Sequence, residues 1–223
     1  WMGIIYNGPG VRNYVTDPHN NYNDSIGIEV RGSSSSGFPQ QQYGIETRNL
    51  QGLVNDTMVL GMPAEHDWVL YAPYDDKTCM RNVLAYDIAN RTGHYASRTF
   101  YCELILNGDY HGIYTMMEKV KRDSNRVSVA KLDSNDVAGD SLTGGYIVKI
   151  DKLTGSAGSS GWYSNYLTST SHQIYFQYDY PSGTNIQPAQ KTYIQNYVDS
   201  FETALNRSEE HTSELQSHSF ISY

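Results

Sequence analysis

The sequence has 223 residues, of which 39% are hydrophobic and only 18% are charged, and tyrosine occupies 20 positions. This length allows one sizeable core, and the abundance of Tyr with Asn, Ser, Gly and Thr is typical of a β-rich extracellular domain. The formal net charge is −8 and there is no basic tract, which argues against nucleic-acid binding because phosphate backbones require clustered Lys and Arg. No apolar run approaches the roughly 20 residues that a membrane span needs.

Several kinds of reactive site lack the spacing that they would need. Cys79 and Cys102 are the only cysteines, and we expect two thiols in the core in preference to a disulfide. The histidines do not show the H-x-x-x-H or H-E-x-x-H spacing of zinc ligands, so we predict no metal site. No serine has a glycine two residues away on both sides, so the G-x-S-x-G pattern of α/β-hydrolases is missing.

The end of the chain differs in kind from what precedes it. Residues 207–223 read RSEEHTSELQSHSFISY, and most of this stretch resembles the translation of a common sequencing-library adapter. We therefore assign residues 1–206 to one domain, which we expect to be incomplete at both ends. We interpret 207–223 as an adapter-derived segment and exclude it from fold reasoning. The alternative is an ordinary polar helix, which its glutamates would permit.

In chain order, the first 25 residues are turn-like, and two short strands then flank a Ser-rich loop. Apolar and polar side chains alternate over 26–31 and again over 43–48, with the loop at 32–37 between them. A buried strand over 68–72 follows. Asp75 or Asp76 then predicts the N-cap of a helix over 77–91, with Gly93 as its left-handed C-cap.

The remaining elements are mostly strands. Asn107-Gly108 between the runs 99–106 and 110–117 is a strong hairpin signal, because both residues tolerate positive φ. The pattern predicts further strands over 144–150 and 172–180, a surface loop over 155–161, and a helix whose apolar stripe extends from Tyr193 to Leu205.

The Ser-rich loop is the most suggestive local motif. Ser33, Ser34 and Ser35 lie in a strand–loop–strand, where small residues let backbone N–H groups approach a phosphate. The kinase pattern G-x-G-x-x-G is missing, so on local sequence alone a solvated hairpin loop is the simpler interpretation.

Charged residues after the predicted hairpin have two interpretations. Glu118 and Lys119 end an apolar strand, where they either contact a nucleotide or mark the point at which the strand reaches water. Lys121-Arg122-Asp123 resembles the His-Arg-Asp of a kinase catalytic loop. Ser128 stands where that loop needs Asn, so we interpret the tripeptide as a charged turn.

Taken in order, several stretches resemble the CotH family, which is named for a spore-coat kinase and is widespread among secreted bacterial proteins. The matching stretches are IGIEVRGSSS (26–35), LGMP (60–63), DWVL (67–70), APY (72–74), DK (76–77), MRNVLAY (80–86), ELILNG (103–108), GIY (112–114), EKVKRD (118–123), NRV (125–127) and GGY (144–146).

The resemblance implies an α+β, atypical protein-kinase-like fold. This chain would hold mainly the β-rich N-terminal lobe, with the helix over 77–91 in the place of the kinase αC helix, and an incomplete C-terminal part. The family uses ATP to phosphorylate Ser residues of partner proteins, so the resemblance implies ATP and Mg²⁺ as cofactors and a Ser-bearing protein as partner. The nucleotide-binding residues that it implies are Ser33, Ser34, Ser35, Gln41, Glu118 and Lys119.

Two departures from the family's pattern bear on activity. Gln40-Gln41 stands where the family usually has Lys-Lys, so a positive charge for the nucleotide's phosphates is missing unless Lys119 or Lys149 supplies it. The family's catalytic and metal-binding aspartates lie farther on, one of them in a Trp-Asp stretch, and no Trp here is followed by Asp. We therefore name no catalytic residue and expect this chain to be inactive in phosphoryl transfer.

Three hypotheses follow for function. The first is a secreted or cell-surface, ATP-dependent Ser kinase of the CotH type, of which this chain is an inactive fragment. The second is a non-catalytic surface binding or structural module that retains the fold, which Gln40-Gln41 favours. A weaker third is carbohydrate recognition, suggested by the many tyrosines and Trp162 on a β-rich surface.

Overall fold

The computed structural model describes residues 1–151, 160–168 and 170–219, with side chains as far as Arg207. The chain divides into two compact units, the first from Trp1 to Val127 and the second beginning at Ser128. Most of the predicted surface loop over 155–161 lies outside the described residues. The fold is α+β with strands predominating, as predicted.

Strands make up most of the regular structure. They are β1 (Met2–Ile4), β2 (Tyr22–Asp24), β3 (Ile26–Arg31), β4 (Gln42–Thr47), β5 (Thr57–Val59), β6 (Met62–Glu65), β7 (Asp67–Tyr71), β8 (Thr99–Leu106), β9 (Asp109–Glu118), β10 (Ile147–Ile150), β11 (Gly161–Leu167) and β12 (Gln173–Tyr180). The helices are α1 (Arg81–Arg91) and α2 (Pro188–Ser219), and short 3-10 helices occupy Ser34–Gly37 and Gly139–Thr143.

The first unit is built on a five-stranded antiparallel sheet in the order β3-β4-β7-β9-β8. In chain order, α1 lies between the third strand of this sheet, β7, and the closing hairpin of β8 and β9. A hairpin that carries a small-residue loop, a third strand, a helix and a closing hairpin form the arrangement of a kinase small lobe.

The predicted hairpin at the end of this sheet is confirmed. Asn107 and Gly108 have φ of 54° and 91°, so both central residues have the positive φ of a type I′ turn. The side chains of β4 alternate between buried and half-buried, as its sequence pattern predicts.

One face of the five-stranded sheet forms the core of the first unit. Trp68 is fully buried there, with Tyr43, Leu70 and Tyr114 around it. The β1–β2 and β5–β6 hairpins supply the apolar side chains that cover this face, among them Val59, Leu60, Met62 and Tyr22. We call it the core face.

The structure places the start of α1 four residues later than predicted, at Arg81 instead of residue 77. Cys79 has φ of 57°, which is incompatible with a continuing α-helix, so residues 77–80 form a turn. The N-cap is Met80, so the prediction of Asp75 or Asp76 at this position is wrong, although the Asp76 carboxylate accepts the backbone N–H of Arg81 at 2.9 Å. Gly93, with φ of 86°, takes the left-handed conformation predicted at the C-terminal end.

The two cysteines are free thiols, as predicted, but Cys79 lies half-buried in the turn before α1 and not in the core. Cys102 packs against the core, and burial raises the pKa of its thiol to about 11.

The second unit is a three-stranded sheet, β10-β12-β11, against which α2 packs through Ile194 and Val198. Trp162 lies half-buried between Phe176 and Tyr178, with ring centroids 5.3 Å and 5.1 Å away. This packing accounts for Trp162 without a carbohydrate ligand.

The backbone of α2 continues to Ser219, through the junction at 206–207 where the adapter-derived segment was inferred. That inference remains a prediction. No helix in the described part of the chain is long and apolar enough to cross a bilayer.

Adjacent glycines in the second unit give a matched test of this fold. Gly145 has φ of 85°, and a Cβ there would overlap the carbonyl oxygen of Ala130, whereas Gly144 is extended and its Cβ would meet only the Ala130 methyl group, at 3.7 Å. We expect Gly145→Ala to lower the free energy of unfolding by at least about 2 kcal/mol, and Gly144→Ala to change it by less than about 0.5 kcal/mol. Urea unfolding of the two variants measures the difference. Equal effects would contradict the positive φ of Gly145 and its close approach to the carbonyl of Ala130.

Candidate functional site

The candidate site lies on the second face of the five-stranded sheet, opposite the core face. Val69 and Tyr71 alternate with Trp68 along β7, so their side chains lie on the face opposite the core face. Tyr101, in register with Tyr71 across β9, donates its hydroxyl to the carbonyl of Cys79, just before α1, at 2.7 Å. We call this the helix face, because the segment that leads into α1 is bonded to it.

The Ser-rich loop leaves the sheet at the β3–β4 end. Gly32 begins it with φ of 109°, and the hydroxyl of Ser36 donates to the carbonyl of Ser33 at 2.6 Å, which closes a compact turn. Ser33 and Ser34 are exposed, and Ser35 is half-buried. Phe38 and Tyr74 are in ring contact, with centroids 5.0 Å apart, which ties the end of the loop to the segment between β7 and α1.

Gln40 and Gln41 use their side-chain amides inside the protein. The Gln40 amide donates to the carbonyls of His111 and Ile113 at 3.1 Å and 2.9 Å. These carbonyls belong to the part of β9 that extends beyond its pairing with β7, so Gln40 takes the place of a missing strand partner. The Gln41 amide donates to the carbonyl of Ser36 at 3.1 Å and so shapes the loop from within.

Glu118 and Lys119 lie at the other end of the sheet. Across the sheet, Glu118 pairs with Trp68, and Trp68 pairs with Ile45. Ile45 is three residues along β4 from Gln42, which is at the loop end of that strand. The separation along the strands is therefore about 10 Å. The structure brings Ser33, Ser34, Ser35 and Gln41 together, and it does not bring them into contact with Glu118 and Lys119.

The carboxylate of Glu118 points to the core face and is completely buried. It accepts the guanidinium of Arg98 at 2.6 Å, the backbone N–H of Arg98 at 3.0 Å and the hydroxyl of Tyr95 at 3.3 Å. Burial, followed by the negative charge of Glu118, raises the pKa of Tyr95 to about 12. The side chain of Glu118 is therefore part of a buried network, and its main chain is the part that borders the helix face.

A second ionic group adjoins this network. Lys121 donates to Glu65 at 2.7 Å and to Asp67 at 2.8 Å. Burial lowers the pKa of the Lys121 ammonium, but hydrogen bonds to both carboxylates and their charges outweigh it and hold the pKa above its usual value. Burial likewise raises the pKa of Asp67, and the hydrogen bond from Lys121 with the charges of Lys119, Lys121 and His66 makes the net shift downward.

Arg126 joins the two groups and fixes the segment that follows β9. It is 3% exposed, donates to the carbonyl of Lys119 at 2.8 Å, and lies 5.1 Å above the ring of Trp68. One of its guanidinium nitrogens is 3.3 Å from Glu65, in ion-pair range but without hydrogen-bond geometry. Arg126 therefore holds residues 119–126 against the end of the sheet.

One group of possible metal ligands appears that the sequence spacing did not predict. Asp56, Glu65 and His66 have ligand atoms within 4.8 Å of one another. The ammonium of Lys121 is 2.7 Å from Glu65 and 3.3 Å from the Nε2 of His66, so a cation already occupies this corner. The geometry fits an internal ion cluster better than a metal site.

Sequence reasoning missed the residues that line the helix face between the two ends. Val69 is opposite Gly44 on one side and Met117 on the other, and both Val69 and Met117 are nearly fully buried. The strict alternation of β7 and β9 could have identified them. The side chain of Glu29 lies over Gly44, since a Cβ there would meet it at 3.3 Å.

The ion pair that anchors phosphates in ordinary kinases has no counterpart here. That pair joins a Lys of the third strand to a Glu of the following helix. β7 contains no Lys and α1 contains no Glu. Of the two substitute cations considered, Lys119 lies 3.5 Å from Asp67, and Lys149, in the second unit, lies 3.0 Å from Asp179.

The Lys121 cluster predicts a specific pH dependence. The pKa of Asp67 is lower in the folded chain than the ordinary 3.8, so its contribution to stability is complete above about pH 4 and is lost as the pH falls through the folded value. We expect Lys121→Met to lower the free energy of unfolding by about 1–3 kcal/mol at pH 7 and to make its decrease below pH 4 shallower.

The control is Arg91→Met, which removes a surface pair with Asp87 (2.8 Å) and should cost less than about 0.5 kcal/mol at either pH. Chemical unfolding at pH 7 and pH 3 measures both variants. Parallel pH profiles for the wild type and Lys121→Met would mean that Lys121 does not lower the pKa of Asp67.

Comparison with known proteins agrees with this geometry. A search of curated proteins found no match. The family profile described as "CotH kinase protein" matches residues 28–223, which includes all but the first two residues of the five-stranded sheet, the Ser-rich loop and α1. This match covers well over half of the sequence, so the chain belongs to the CotH kinase family.

Proposed function

We propose that the protein is a secreted or cell-surface, ATP-dependent kinase of Ser residues in partner proteins, and that this chain contains its nucleotide-facing small lobe. The observation that carries the proposal is the sheet order β3-β4-β7-β9-β8 with α1 between β7 and β8. In that order a small-residue loop lies at one end of the helix face and the end of β9 at the other, and a kinase holds the phosphates and the base of ATP at the corresponding ends of its small lobe.

The loop supports phosphate binding through its backbone. A compact turn of small residues exposes N–H groups that no bulky side chain shields, and such concave groups of N–H donors bind anions. The closed turn of Gly32 to Ser36 is built of such small residues. The Gln41 amide preserves the turn from inside, so its role would be to position the loop.

The base of the nucleotide would lie against the apolar strip of Val69 and Met117, beside Gly44. Both side chains are nearly fully buried, so the groups that cover them and the Glu29 side chain over Gly44 would have to move aside. Lys119 and the main chain of Glu118 border this strip. The buried network around Glu118 and Arg126 would hold that main chain in place, so its contribution to binding is pre-organisation.

The described residues do not fit a Mg²⁺ site on their own. Magnesium prefers oxygen ligands in octahedral geometry, and the one three-residue ligand group among the described residues contains a His and adjoins the Lys121 ammonium. Phosphoryl transfer needs an acidic base and metal ligands. We therefore propose that this chain binds nucleotide without turning it over.

A non-catalytic binding or structural module is the second candidate. Gln40 and Gln41 favour it, because both amides are used in internal hydrogen bonds and neither carries the charge that phosphates attract. The two candidates differ in one property, since only the first requires affinity for ATP on the helix face.

For the wild-type chain we expect weak binding of Mg-ATP, with Kd of about 1 mM or more, and no transfer of the γ-phosphate to a Ser-containing protein. Few charged donors reach the phosphates, which explains the weak binding. Isothermal calorimetry and a radiolabel transfer assay measure the two quantities. Micromolar affinity would contradict the shortage of charged phosphate donors, and measurable transfer would contradict the absence of an acidic base and metal ligands among the described residues.

A second prediction concerns the Ser-rich loop. Gly32 has φ of 109° and no room for a Cβ beside Ser35, whereas Gly37 has open space and an unrestricted backbone. We expect Gly32→Ala to weaken ATP binding by about fivefold or more because the turn must change shape, and Gly37→Ala to leave it within twofold. NMR titration with ATP compares them. If both variants bind as the wild type does, the loop does not contact phosphate.

A further inference from the structure

The positions from which ordinary kinases supply positive charge to a nucleotide triphosphate carry no available cation on the helix face. The kinase Lys–Glu pair has no counterpart in β7 and α1, and the amides of Gln40 and Gln41 donate to carbonyl groups of the protein. A triphosphate that bound here would need another cation near the Ser-rich loop, because charge-assisted hydrogen bonds supply most of the affinity for phosphate.

Most cations of the first unit are already engaged with other groups. Arg12 lies over the ring of Tyr14, and Arg122 also has an interaction within the described chain. The cations held in ion pairs are Arg48, Arg81, Arg91, Arg98, Lys119, Lys121 and Arg126.

Arg31 and Lys77 are the two remaining cations of this unit, for which neither an ion pair nor a ring contact is found among the described residues. Both are exposed. Lys77 lies in the turn before α1, whereas Arg31 is the last residue of β3 and directly precedes Gly32. Of the two, only Arg31 is adjacent in sequence to the Ser-rich loop.

The register fixes the direction of the Arg31 side chain. Arg31 is opposite Gln42, which alternates with the core residue Tyr43, so Arg31 lies on the helix face. That is the face of Val69 and Met117, and Arg31 stands at its loop end. An exposed guanidinium at this position would need no change in the sheet to reach an anion cradled by the loop.

We propose that Arg31 is the phosphate-binding cation of this chain and takes the role that a Lys plays in ordinary kinases. The inference rests on the proposed nucleotide binding and specifies which residue contacts the triphosphate. A guanidinium presents two parallel N–H donors to phosphate oxygens, so Arg31 would both neutralise and orient the group.

One neighbouring charge opposes this role. Glu29 is on the same face, two residues before Arg31, and its side chain lies over Gly44. It forms no ion pair with Arg31 among the described contacts. Its negative charge would weaken ATP binding, which agrees with the low affinity expected for the wild type, and Glu29→Gln should strengthen binding about twofold to fivefold.

The test compares ATP with adenosine on four proteins by NMR titration: wild type, Arg31→Gln, Arg31→Lys and Lys77→Gln. We expect Arg31→Gln to weaken ATP binding about tenfold while adenosine binding stays within twofold. Arg31→Lys should retain part of the ATP affinity because the charge remains, and Lys77→Gln should bind both ligands as the wild type does. Adenosine is the decisive readout, since a merely structural role would affect both ligands.

The outcomes separate this inference from the proposed function. If the wild type binds neither ATP nor adenosine, nucleotide binding is wrong and the role of Arg31 falls with it. If the wild type binds ATP but Arg31→Gln binds equally well, or loses both ligands equally, only the role of Arg31 is wrong. A larger loss of ATP affinity in Lys77→Gln than in Arg31→Gln would assign the role to Lys77 instead.

Discussion

The first unit depends on the different treatment of the two faces of one antiparallel sheet. Trp68 and its neighbours on the core face are buried by the β1–β2 and β5–β6 hairpins, which shield apolar surface that five strands alone would leave in water. The helix face is thereby left to α1 and the Ser-rich loop. Because side chains alternate along each strand, this division decides which side chains share the face of the Ser-rich loop: Val69 and Met117 do, and the carboxylate of Glu118 does not.

The buried ions at the end of β9 stabilise this arrangement at its most polar point. Glu118 is fully buried between Arg98 and Tyr95, and Arg126 connects it to Glu65 and the carbonyl of Lys119. Burying such charges is costly unless each is paired, so the group is stable only as a whole. Its structural consequence is that the chain after β9 is fixed to the sheet as far as Arg126, close to the end of the first unit at Val127.

Much of this fold could be predicted from the sequence, because its strongest signals are local. The Asn107-Gly108 turn, the alternation of β4 and the glycine after α1 follow from backbone preferences that any context would respect. The start of α1 could not be predicted, since the positive φ of Cys79 depends on tertiary contacts. The assignment of the candidate site's residues to nucleotide binding stays a prediction. The loop was located correctly, but the direction of Glu118, the internal use of the Gln40 and Gln41 amides, and the Lys121 cluster are long-range contacts that sequence spacing does not show.

The account is tested most directly by mapping where Mg-ATP contacts the chain, using backbone and methyl NMR shifts during a titration. It predicts that the largest changes fall on Arg31, Ser33–Ser35, Val69 and Met117, which share the helix face and its loop, while Ile45 and Val59 on the core face stay nearly unchanged. Shifts confined to the second unit, or no shifts at millimolar ATP, would contradict the claim that this sheet is a nucleotide-binding lobe.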